Sequence, residues 1–139
     1  MGGPIVYVDH SEIVEGRLGE LMDRIGQLVE LAEVGEPQLI AYSVYLNAER
    51  TEMWVLHVHR DLASMVTHFR VAGPAFRNFV GLVRLQSIDV YGDLPDDLVE
   101  QLRDKARLLG DARVSVHPYQ AGFVRSGRSG RNEQPSDPP

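Results

Sequence analysis

At 139 residues and a formal charge of −6, the chain has room for one domain, and its field repels phosphate backbones, so nucleic acid is not an expected partner. It carries no cysteine, which excludes disulfides, thiolate nucleophiles and cysteine-based metal sites. No apolar run approaches the roughly 18 residues that span a bilayer, and the start lacks a basic-then-apolar leader, so neither a membrane partner nor export is expected, and a cytoplasmic location follows.

Ile5 to Val8 is β-branched and aromatic and predicts a strand, closed by Asp9, His10 and Ser11. From Arg17 the period changes: Leu18, Leu21, Met22, Ile25, Leu28, Val29 and Ala32 share one stripe of a helix ending near Gly35-Glu36-Pro37. Leu39–Leu46 and Met53–His59 read as strands joined by Asn47-Ala48-Glu49-Arg50, short enough for an antiparallel hairpin. Asp61 caps a second helix through Met65, Val66 and Phe69; Gly73-Pro74 breaks it, and Ala75, Phe76, Phe79 and Val80 resume helical spacing. Leu85–Tyr91 is a fourth strand.

Pro95 opens a third helix with Asp96 and Asp97 in its first turn, while Arg103, Lys105 and Arg107 near its end match the helix dipole. Val114 and Val116 alternate with polar residues in a fifth strand, expected at a sheet edge. The order through the fourth strand is β-α-β-β-α-β, the split βαβ pattern of ferredoxin-like α+β domains with an antiparallel sheet. The chain divides into a ferredoxin-like domain over 1–125, made of a core over 4–92 and an extension over 93–125, and a disordered tail over 126–139 rich in Gly, Ser, Pro and Arg. Both faces of the second and third strands are largely apolar, whereas helices on such a sheet cover one face only. The uncovered face predicts a homodimer that meets sheet to sheet.

Two features bear on chemistry. His57 and His59 project from one strand face about 7 Å apart. A metal would need further ligands, for which only His68 or Asp9 offers itself, so no metal is expected; the plainer reading is a hydrogen-bonded pair at a strand end or dimer seam. His68 stands among Met65, Val66, Phe69 and Ala72, where a histidine is either a satisfied core residue or a proton shuttle beside a pocket lined by Trp54, Tyr42 and Phe76.

The run Asp61 to Phe69 after an aromatic-rich strand, followed by Gly73-Pro74-Ala75-Phe76, resembles the signature of the antibiotic biosynthesis monooxygenase family. Glu15-Gly16-Arg17 and Glu36-Pro37 before Tyr42-Ser43-Val44-Tyr45 are similar to that family's helix entry and second strand. The resemblance spans about residues 4 to 92 and implies a dimeric α/β barrel that binds a small hydrophobic or aromatic ligand and oxidises aromatic or quinol compounds without a cofactor. It implies contact between His68 and the substrate. Where many members carry Glu and an aromatic residue at the end of the third strand, this chain has His57 and His59. The expected catalytic set is therefore His68 as base with His57 or His59 on the developing oxyanion, and Trp54, Tyr42, Tyr45 and Phe76 as walls. Two other readings stay open: a non-catalytic small-ligand or haem-binding module, and a protein of dimerisation or partner interaction alone.

Overall fold

The computed structural model describes residues 3–125; the expected tail over 126–139 lies outside them. Strands β1 (Ile5–Ile13), β2 (Leu39–Leu46), β3 (Glu52–His59), β4 (Val83–Tyr91) and β5 (Arg113–His117) form one sheet in the order β2-β3-β1-β4-β5. Pairing is antiparallel except between β4 and β5, which run parallel. Helices α1 (Leu18–Gly35), α2 (Leu62–Ala72) and α3 (Asp96–Leu109) complete the α+β architecture. The parallel step needs a crossover, which α3 provides. The sheet is open, with β2 and β5 as edges, so one copy alone is not a barrel.

The elements form where local chemistry favours them. Leu21, Ile25, Leu28 and Ala32 are the buried stripe of α1. The Asp61 side chain accepts a hydrogen bond from Ser64 N at 2.9 Å and so starts α2. Gly73-Pro74 turns the chain from α2 into a 3-10 helix over Gly73–Phe79, which buries Phe76 and Phe79. Asn47 closes the β2–β3 hairpin by accepting from Thr51 N and Glu52 N. Among the described residues no helix is long and apolar enough to cross a membrane.

Strand β1 does not stop at Asp9 but runs on to Ile13. Ile5, Tyr7, Asp9 and Ser11 alternate inward and are all buried, so two polar residues belong to the inner face of a central strand. Strand β2 also departs from strict alternation. A register shift between Leu39 and Ala41 leaves Ile40 exposed while Tyr42, Val44 and Leu46 pack on the core. The helices cover the inner face. On the outer face Val6, Val8, Trp54, Leu56 and Val58 are only half-buried.

Candidate functional site

Beneath the helices the inner face of the sheet carries a polar cluster where a hydrophobic core would be the default. Tyr7, His57, His59 and His68 are wholly buried, and Asp9, Glu36, Ser64 and Lys105 nearly so. Strand alternation places His57 and His59 on the same side as Met53 and Val55. His68 reaches them from the buried side of α2, with ring centroids 5.2 Å from His57 and 5.3 Å from His59. The two strand histidines thus sit fully buried under the helices, His59 as the last residue of β3.

Each histidine is held through Nδ1. His68 Nδ1 lies 3.0 and 2.9 Å from the two carboxylate oxygens of Glu36. An ionised carboxylate only accepts, so Nδ1 carries the proton, and Nε2 is the nitrogen left without a partner in the protein, free to act as an acceptor. Glu36 comes from the turn after α1, where its backbone N–H still bonds Ala32 O. Gly35 beside it lets α2 approach, for a Cβ there would stand 2.9 Å from Val71 Cγ1. His57 Nδ1 donates to the Tyr7 carbonyl at 3.2 Å, which sets its Nε2 as an acceptor too. His59 Nδ1 meets Ser64 Oγ at 2.9 Å, and a hydroxyl can either give or take, so His59 can present an N–H at Nε2. Of the two strand histidines, His59 is therefore the one able to donate to an oxyanion, and His57 in this tautomer is not.

Burial sets the protonation of the two strand histidines and of the two tyrosines beside them. It drives His57 well below its ordinary value, with the Lys105 ammonium next in effect and then the neighbouring histidines. His59 is pushed down to about 3, again by burial first and by His68 second. Burial also raises Tyr7 and Tyr42, with Asp9 the next cause for each, so both phenols stay protonated. Among the described residues, five buried atoms have no protein hydrogen-bond partner: Tyr7 OH, Asp9 Oδ1, and Nε2 of His57, His59 and His68. Buried polar atoms are usually paired, so a cluster of five orphans is a place prepared for something else. Among the described residues no group of three or more His, Cys, Asp or Glu side chains is arranged to hold a metal ion.

Tyr42 and Phe76 lie with the histidines, their ring centroids 5.7 and 6.0 Å from His68. Trp54 and Tyr45 do not. They are register partners on the outer face, where Trp54 stacks on His10 at 4.7 Å and Tyr45 is exposed. The period of two in β3 separates Trp54 from His57, so these two aromatics are not walls of this protomer's inner site.

Tyr7, Glu36 and Lys105 join the site without having stood out in the sequence, and Asp9, which offered itself there only as a metal ligand, joins it as well. Lys105 Nζ meets Asp9 Oδ2 at 2.6 Å, across 96 residues of chain, and stands 4.4 Å from the Phe76 ring centroid. It is not a solvated partner of the helix dipole. Its place was legible on the stripe Leu98, Leu102, Lys105, Ala106 and Leu109, all of them buried. Asp9, Tyr42, Phe76 and Lys105 line a half-open cavity of about 40 Å³, whose lining does not include the three histidines.

No family model matches the chain, and no curated protein matches it in sequence. Solved structures do share its fold. MupZ from Pseudomonas fluorescens superposes with a TM-score of 0.67 at 17% identity, covering 88% of this chain and 95% of that one. SnoaB from Streptomyces nogalater, a cofactor-independent oxygenase, gives 0.55 at 9% identity, with 66% and 94% covered. A candidate antibiotic biosynthesis monooxygenase from Deinococcus radiodurans gives 0.51 at 18%, with 66% and 93% covered. At such identities the likeness establishes the ferredoxin-like fold. The 88% match to MupZ extends beyond the core over 4–92 and so takes in much of the extension.

Proposed function

We propose that this chain is a cofactor-independent monooxygenase of the antibiotic biosynthesis type, acting as a homodimer on a small phenolic or quinol compound. The observation that carries this reading is the buried Glu36–His68 pair, in which a carboxylate fixes the imidazole tautomer and leaves Nε2 free to take a proton. His68 removes the proton of an aromatic hydroxyl, and the resulting electron-rich anion reacts with O₂. One oxygen atom enters the ring and the other leaves as water with two hydrogens from the substrate, which is its own reductant. His59, able to donate at Nε2, bonds the developing oxyanion, while Tyr42 and Phe76 supply the walls. The fold shared with SnoaB supports the same reading. The half-buried apolar outer face supports pairing with a second copy.

The test is O₂ uptake with a panel of phenols and quinols. Expected is consumption matched mole for mole by quinone product, falling at least about 100-fold in His68→Gln. No uptake with any compound of the panel, or a His68→Gln variant as fast as the parent, overturns the reading.

A second reading, a non-catalytic interaction module, draws on the small volume of the cavity, about 40 Å³. That space is far too small for a haem unless the helices part. Its signature is a dimer that binds none of the panel and shows no Soret band on haem addition.

A further inference from the structure

The Asp9–Lys105 pair has no part in the proton transfer assigned to His68. Its two side chains are 8% and 7% exposed, and α3 brings Lys105 in from outside the four-strand core. Two buried charges repay their lost hydration only when their remaining lone pairs and protons are also satisfied; apolar residues of similar volume often do as well. Here the requirement is unmet. Asp9 Oδ1 has no protein partner. Lys105 spends one N–H on Asp9 Oδ2 and has two more, near the faces of Phe76 and Tyr7. Both residues border the cavity whose other walls include Ile25, Leu28, Val55 and Phe79.

We propose that Asp9 and Lys105 form a subsite for a second hydroxyl group of the substrate. The inference rests on the reading of the site as one for aromatic hydroxyl compounds and narrows it to those with two such groups. A hydroxyl gives its proton to Asp9 Oδ1 and takes one from Lys105 Nζ, matching both free functions at once. A carboxylate is repelled by Asp9 and an ammonium by Lys105. An ether or carbonyl oxygen satisfies the lysine and leaves Oδ1 unmatched, at the cost of a buried unpaired acceptor.

Calorimetric titration of the intact chain under nitrogen, with 1,5-dihydroxynaphthalene, 1-naphthol and 5-methoxy-1-naphthol, tests this. The diol is expected to bind about tenfold or more tightly than either other probe. In the double variant Asp9→Leu, Lys105→Met, which replaces the pair by apolar residues of similar size, that gap closes. Should the double variant fail to fold, Asp9→Asn gives the same readout, because an N–H standing where Oδ1 stood favours the methoxy probe. A wild type that prefers none of the three, or binds none, overturns the subsite, as does a variant that keeps the preference. Selective binding without O₂ uptake preserves the subsite and removes the oxygenase reading; uptake without preference for the diol does the reverse.

Discussion

His68 Nδ1 sits almost equidistant from the two oxygens of Glu36, at 3.0 and 2.9 Å, in surroundings where neither side chain meets solvent. Removing the carboxylate leaves a buried N–H without a partner, so Glu36→Leu is expected to cost about 1 to 3 kcal/mol. Glu36→Gln, which keeps an acceptor oxygen, costs less. Nitrogen-15 spectra give the more specific check: the parent shows His68 protonated at Nδ1, and Glu36→Leu loses that tautomer preference. An unchanged tautomer in Glu36→Leu removes Glu36 as the orienting group.

Acid should unfold the protein through His57 and His59. Both bind protons in the unfolded chain near the ordinary value of 6.5, whereas the folded state holds His57 well below it and His59 down to about 3. Protons therefore favour the unfolded state, and this contribution to stability is whole above about pH 6.5 and is lost as the pH falls towards 3. Each histidine removes at most about 1.4 kcal/mol per pH unit. Urea midpoints at pH 7.5 and 4.5 should differ accordingly, and His59→Asn should lessen the difference. Equal midpoints for the parent contradict the burial of neutral imidazoles.

Gly110 ends α3 at φ 156°, and a Cβ there would stand 2.7 Å from both Leu85 N and Leu85 O. Backbone atoms cannot swing aside as a side chain can. Gly110→Ala is expected to cost at least about 2 kcal/mol and to shift α3, and Lys105 with it, away from β1. Thermal unfolding reads the first effect. Faster hydrogen exchange across α3 reads the second, and normal protection there speaks against the coupling.

Leu56 lies near the middle of β3 on the open outer face. A charge placed there resists burial against another sheet, so Leu56→Lys should convert a dimer into single copies while leaving the circular dichroism unchanged. Analytical ultracentrifugation at micromolar concentration decides it. A wild type that sediments as single copies ends the homodimer proposal.

Periodicity made the architecture legible, because burial repeats every two residues in β3 and every three or four in α1, and those repeats survive in the bare sequence. The polar cluster was legible in part. His57, His59 and His68 stood out as titratable groups among apolar neighbours, and Tyr42 and Phe76 were grouped with them. Asp9 and Glu36 looked like terminators of a strand and a helix, since acidic residues beside turn formers are common there. What gives each its role is a partner distant in sequence, Lys105 for Asp9 and His68 for Glu36, separated by 96 and 32 residues. Lys105 alone advertised itself, by interrupting an apolar stripe. Trp54 and Tyr45 lie close to the histidine strand face in sequence or register, but alternation along β3 sends Trp54, and with it its register partner Tyr45, to the outer face.

The central place of β1 governs how the molecule comes together. The first strand made must wait for β3 and then β4 before both its edges are paired, with Ile5 meeting His59 and Val6 meeting Tyr91. Such long loops close slowly, which puts folding among the unhurried cases for a chain of this size. Asp9 owes Lys105 to α3, which follows all four strands of the core in the chain. A chain that stops before α3 therefore holds the histidines without the lysine, and only one half of the pocket.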